Sequence, residues 1–409
     1  MFVTVCNWKI FFIFDKLKDE NIINLNMKIL KILIVLLSMT LNAQNKNRKL
    51  LWDKVNKSPI EFATIKSATN YSLSNEEGYF EVVKDENVII QNLSYETLAI
   101  NKEELSNRDT IFLNPKIFAL EEAVVTRENL YNKMLKTVLE EYAFIPHIEK
   151  FYLRVVVRKN KSLYKIIDFS GLVEKQTLFS TSKIPLPKNN YKVQINNVRK
   201  VGIEDRKVDY ELYNFNNFFT EIASVISQSQ FYNFRYEASE DKNNSRIIAT
   251  PKPDIQNISN NVYILNDDNT FGEVEMVNSR STTPFINLGK YKHRTIDIYK
   301  KSSFQRNDMN NKIQLNKAIF KATTELLKED KTKEIFDVSY LYFANPEQNV
   351  IVKNNINLNK DMFEINGDYN DNYWNNNNVL PLSTEMQEFI NSVNKNSKNK
   401  EFRSKSNMN

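Results

Sequence analysis

YSLSNEEGYFEV, residues 71–82, is the stretch on which the reading of this chain turns. It crowds one asparagine and two carboxylates ahead of Gly78, between alternating apolar positions. A metal or catalytic loop would use Glu76 and Glu77 as ligands or acids, whereas a turn would leave them in solvent. Alternation on both sides argues for two paired strands, 71–74 and 79–83. Gly78 then supplies the positive φ that residues carrying a Cβ resist, and Glu76 and Glu77 face water.

The flanks read the same way. Between 50 and 113 the runs LLWDKV, IEFATIKS, YFEVV, VIIQNL, ETLAI and TIFL are separated by NKSP, TN, KDEN, SY and NKEELSNRD. Short strands at intervals of roughly ten residues, with no amphipathic helix among them, predict a small antiparallel sandwich. Trp52, Phe62, Ile65, Tyr79, Val88, Ile90, Leu93 and Ile111 are its expected interior.

Taken in order, PIEFATI (59–65), YSLSNEEGYFEV, VIIQNLSYETL (88–98), DTIFL (109–113) and LEEAVV (120–125) resemble the carboxypeptidase-like regulatory domain of exported Bacteroidota proteins. The resemblance implies a seven-stranded, transthyretin-like Greek-key sandwich over 48–125, non-catalytic in itself. The first strand lacks the glycine usual in that family, and Ser94 stands where a glycine commonly precedes the tyrosine.

Beyond it, apolar residues at helical spacing predict a linker helix over 128–142, within a connecting segment 126–146. Residues 147–390 are strand-rich, with helical patterns at 215–230 and 312–327. Together they predict a mainly β chain in which a larger α+β domain follows the sandwich, its curved antiparallel sheet partly wrapped around a helix. The low-complexity end, 391–409, is expected to be disordered.

Glycine occurs only 6 times in 409 residues, so asparagine is expected at many left-handed backbone positions. The net charge of +6 is confined to the ends: Lys28 and Lys31 add two, and five Lys/Arg against Glu401 in 391–409 add four. With a neutral body there is no basic face to bind nucleic acid. MKILKILIVLLSMTLNAQ, 27–44, has the layout of a signal peptide cleaved after Ala43, with 1–26 as doubtful leader. The single cysteine, Cys6, falls in that leader, and no later apolar run approaches membrane-spanning length, so the mature chain is expected to carry no transmembrane segment.

Catalytic patterns are scarce. His147 and His293 lack acids at zinc-motif spacing, there is no G-x-S-x-G elbow, and no glycine cluster cradles phosphate. Asp267 and Asp268 read as a hairpin turn, not a calcium loop. Asp109-Thr110-Ile111 matches a short glycosylation acceptor, though a strand interior suits it poorly. Tyr369, Tyr373 and Trp374 could stack on a sugar, but are expected to pin the last segment to the sheet. No catalytic, cofactor or metal residue is assigned. The expected role is a non-enzymatic exported envelope protein, periplasmic or at the surface, that binds or carries a hydrophobic ligand in a cavity lined by Ile166, Phe169, Leu172 and Ile264. The alternatives are an adaptor for other envelope proteins, marked by exposed apolar patches, and a glycan-acting hydrolase with two convergent carboxylates.

Overall fold

The computed structural model describes residues 48–67, 71–82, 87–119, 130–180, 185–203, 212–239, 245–280, 283–289, 291–376, 379–396 and 402–404. The expected leader and signal peptide, 1–43, lie outside them. The chain is mainly β. Strands β1 (Arg48–Asp53), β2 (Thr64–Lys66), β3 (Tyr71–Leu73), β4 (Tyr79–Glu81), β5 (Val88–Gln91), β6 (Leu98–Ile100) and β7 (Thr110–Leu113), with helix α1 (Lys102–Ser106) before β7, build the N-terminal part. They form a three-stranded sheet, β4-β1-β7, and a four-stranded sheet, β3-β2-β5-β6. Leu51, Ile65, Phe80, Val88, Ile90 and Ile111 are buried in its core.

Several expectations are corrected here. β1 and β7 run parallel, so the sandwich is not wholly antiparallel. β3 pairs with β2 and β4 with β1, so the turn at 75–78 is no hairpin: it carries the chain from one sheet to the other. Alternation tells which face a side chain takes but not which strand lies beside it. Gly78 does take the left-handed backbone, φ +79°, and a Cβ there would meet the Leu51 carbonyl oxygen at 2.6 Å. Trp52 and Tyr79 alternate with buried residues on the outer face, Leu93 is half-buried, and Phe62 belongs to a different cluster.

The rest of the chain runs β8 (Phe118–Ala119), α2 (Leu130–Glu141), β9 (His147–Lys159), β10 (Ser162–Lys175), β11 (Tyr191–Ile203), α3 (Phe215–Ala223), β12 (Tyr232–Ser239), β13 (Ser245–Pro251), β14 (Asn260–Leu265), β15 (Phe271–Ser279), β16 (Ile286–Leu288), β17 (Tyr291–Arg306), β18 (Ile313–Leu327), β19 (Lys333–Glu347), α4 (Asp371–Asn376), α5 (Thr384–Asn396) and β20 (Phe402–Ser404). One sheet collects these strands in the order β20-β11-β10-β9-β19-β18-β17-β15-β14-β13-β12-β8, with β16 beside β17. Phe118 already belongs to it, inside the span the sequence assigns to the sandwich. At the other end α5 continues six residues past 390, and β20 pairs with β11.

The segment 312–327 is strand β18, not a helix. Its first eight residues, 313–320, are buried on both sides of the sheet, and a strand so placed loses the period-two signal that distinguishes it from a helix. The helix expected over 215–230 stops at Ala223, and the linker helix is α2. Asparagine does fill left-handed positions: of nine non-glycine residues with positive φ among those described, five are asparagines, at 160, 257, 269, 311 and 349.

α2 and α3 lie on one face of the large sheet. Tyr131 stacks on Phe234 at 4.2 Å between centroids, Tyr142 meets Phe271 at 4.7 Å, and Phe215 packs edge-on against Phe169 at 5.3 Å. Phe218, Phe219 and Ile222 complete a continuous apolar cluster. The opposite face is covered by the sandwich and by α4 and α5.

Candidate functional site

On that opposite face the strands carry ionic side chains toward their covers. Arg154 of β9, Asp168 of β10 and Arg199 of β11 stand beside one another in register. One Asp168 oxygen accepts from Arg154 Nε and from the Tyr152 hydroxyl, both at 2.7 Å; the other accepts from Arg199 Nε at 2.8 Å and also from its Nη2. Burial would raise the Asp168 carboxyl, but the two guanidinium charges prevail and hold it at about 2. Arg154 spends its remaining donors on the backbone carbonyls of Leu380 and Pro381, both at 3.2 Å, and the Arg199 guanidinium lies 4.9 Å from the Trp374 ring. Trp374 is buried and meets Tyr152 edge-on, in keeping with the expected pinning role; Tyr373 packs against the same cluster, while Tyr369 is exposed.

The turn that was expected to be solvated is the sandwich's share of this junction. Asn75 is buried; its Oδ1 accepts from the Glu77 and Tyr79 amides at 2.9 Å, and its Nδ2 donates to the Leu382 carbonyl at 3.3 Å. Glu76 and Glu385 share Arg158 at 3.3 and 2.7 Å. Both Glu77 oxygens accept from the Thr384 amide, 3.1 Å each, at the start of α5. Neither glutamate is simply a solvated turn residue; Glu76 meets Arg158, 82 residues on, and Glu77 meets both Arg48 and Thr384, 29 and 307 residues away, so no local pattern announces them.

Phe62 plugs the same face. It holds a left-handed backbone, φ 53°, which costs a bulky residue about 1–3 kcal/mol, and packs among Leu73, Tyr152, Ile319, Leu341 and Trp374. Its carbonyl accepts from Lys317 Nζ of β18, a lysine that burial lowers to about 8 against the opposing pull of Glu273. The cavity left between Phe62, Arg154, Ile319, Leu380 and Met386 is about 20 Å³, room for one water.

The four residues expected to line a lipid cavity do not share one. Phe169 packs under α3, whereas Ile166 lies on the opposite face against Met386 of α5. Leu172 alternates with Val173 and takes that opposite face too. Ile264 alternates with Tyr263 and Leu265 on β14, six strands along the sheet from β10. Strand alternation puts neighbours in sequence on opposite faces, so apolar character alone does not bring the four together.

The remaining candidates are structural. His147 is buried, with Nδ1 2.9 Å from the Ile145 carbonyl and Nε2 3.4 Å from Glu149. Burial would raise Glu149, yet Lys175 at 2.7 Å and His147 bring it down to about 2. His293 sits near the start of β17, opposite Leu326. Asp267 and Asp268 lie in the β14–β15 turn as expected: Asp268 accepts from the Thr270 amide at 2.9 Å and pairs with Arg306 at 3.1 Å. Asp109 is fully exposed and Thr110 half-buried. Of the other buried carboxylates, Glu237 pairs with Arg246 and Glu273 with Lys301, while Asp53 accepts from Asn56 and the Tyr95 hydroxyl at 2.8 Å. No cluster of metal-ligating side chains occurs among the described residues.

A partly exposed aromatic strip on the sandwich was not expected. Trp52 of β1 is the register partner of Phe112 of β7, and Leu50 that of Tyr79. Phe112 is 49 % exposed and nearby Val55 65 %. Leu50 and Trp52, two large apolar residues at alternate positions of one short strand, were the available signal. No protein family model matches this chain, and no curated protein matches it. Among the described residues no helix is long and apolar enough to cross a membrane.

Proposed function

We propose that this is a non-enzymatic, exported envelope protein that serves as an adaptor, its regulatory-like sandwich presenting a docking face to another protein while the large sheet anchors it. The observation that carries this reading is the outer face of β4-β1-β7, where Leu50, Trp52, Tyr79 and Phe112 lie side by side on a module held rigidly by Phe62 and the 75–77 turn. The close packing of α2 and α3 on their face of the sheet weighs against carriage of a hydrophobic ligand there. The pairing of buried carboxylates with cations weighs against a hydrolase.

A photo-crosslinking residue at Phe112 tests it in the native envelope. A discrete adduct that disappears with Trp52→Asp, in a chain that still folds, is the expected result. A lipid adduct, or no adduct at all, would overturn the adaptor reading. N-terminal sequencing of the mature protein checks export, with Gln44 expected first.

A further inference from the structure

Residues 353–355 and 363–368 lie along the part of the outer edge of β11 that β20 leaves unpaired, where the backbone would otherwise be open to other chains. Asn354 Oδ1 accepts from the Val193 amide at 3.0 Å, Asn355 Oδ1 from Ile195 at 2.8 Å, and the Asp368 carbonyl from Val198 at 2.8 Å. Gly367 is required by closeness, since a Cβ there would come within 2.5 Å of Val198 Cγ2. Asn366 is held by Lys200, whose Nζ donates to its Oδ1 at 3.2 Å and to the Phe363 carbonyl at 2.8 Å. These two separate demands create the only Asn-Gly pair in the chain. Asn366 is exposed, so water reaches it.

We propose that Asn366 is a site of spontaneous deamidation whose product loosens the cover over the edge of β11. The Gly367 amide nitrogen attacks Asn366 Cγ; a carbon–nitrogen bond forms, the bond from Cγ to the side-chain NH2 breaks, and that nitrogen leaves as ammonia with the proton from Gly367. Water then opens the cyclic imide at either carbonyl, giving aspartate or isoaspartate. One water enters, one ammonia departs, and nothing is oxidised or reduced. Glycine imposes no side chain on the attacking nitrogen, and the hydrogen bond from Lys200 draws electron density away from Cγ. Isoaspartate inserts a methylene into the main chain, so the Asp368 carbonyl no longer meets the Val198 amide.

Incubating the full chain in ¹⁸O-water at mildly alkaline pH, followed by peptide mass spectrometry, tests the chemistry. The label is expected at residue 366 before any appears at Asn354 or Asn355, with ammonia released in step. Hydrogen exchange at the Val198 amide is expected to quicken in the aged protein and to stay slow in Asn366→Gln, which keeps the side-chain amide but disfavours the cyclisation. If residue 366 stays unlabelled in the folded chain over a time in which the urea-unfolded chain is labelled, the fold protects the pair and the proposal fails. Labelling at 366 with unchanged exchange at Val198 would overturn the loosening.

Discussion

On one face of the large sheet, rings close the gap: Phe215, Phe218 and Phe219 of α3 meet Phe151, Phe169 and Tyr342. On the other, cations reach across it: Arg154 to the carbonyls of Leu380 and Pro381, Lys317 to that of Phe62. Apolar contact is non-directional and tolerates small shifts, so it makes a core. Hydrogen bonds from fixed charges to particular carbonyls hold one arrangement and lose much if it slips. The second face therefore has the character of an interface between parts, although it lies within one chain.

The widest break in that comparison comes from Asp168→Ala, which strands the buried Arg154 and the partly buried Arg199 and should cost about 3–5 kcal/mol. If the second face is an interface, the loss appears there first, as protease cleavage near residue 380 while far-UV circular dichroism persists. Phe218→Ala, costing about 3–5 kcal/mol as well, should instead lower global unfolding without exposing 380. Cleavage at 380 in both variants, or in neither, would erase the distinction.

The pH dependence offers a second cut. Lys317 titrates at about 8 in the fold and near 10.5 when unfolded, so between those values the unfolded chain holds the extra proton. Stability must then rise with pH from about 8, by roughly 2–3 kcal/mol from Lys317 alone, until tyrosines begin to ionise in the unfolded chain near pH 10. Burial raises Tyr152 and Tyr299 in the fold, which reverses the trend above that point. Lys317→Met should remove part of the rise in melting temperature between pH 8 and 10, and the remainder is assigned to Lys200, which burial also lowers to about 8. An unchanged slope in Lys317→Met would place the charge elsewhere.

The first face was the more legible in sequence. The apolar spacing of α2 and the aromatic run of α3 pointed to it directly, and only β18 was misread, because a strand buried on both sides keeps no period. The second face was hidden because Arg154, Asp168 and Arg199 look like the wet side of ordinary strands. A faint sign existed in LRVVV and IIDFS, where one charge interrupts an apolar run, the signature of a buried pair more than of a solvated face. Covalent neighbours set the Gly78 turn, so it could be read; the roles of Glu76 and Glu77 depend on residues remote in sequence, Arg158 and Thr384.

Two smaller perturbations sharpen where the interface begins. Gly78→Ala forces a Cβ to within 2.6 Å of the Leu51 carbonyl in a left-handed backbone, and should cost about 2 kcal/mol, seen as a lower midpoint in urea. It strains the sandwich itself. Glu77→Ala leaves the core of the sandwich intact: it frees Arg48 at the start of β1, 3.5 Å away, and removes the carboxylate at the start of α5, where the Thr384 amide and hydroxyl donate to it at 3.1 Å. Because Glu77 is about a third exposed, solvent screens the charge, and the loss should be no more than about 1 kcal/mol. Its effect should be local: faster hydrogen exchange in the first turn of α5 and unchanged exchange in β1 and β5. Faster exchange throughout the sandwich would mean that this turn supports the small module from within and does not join it to the C-terminal helix.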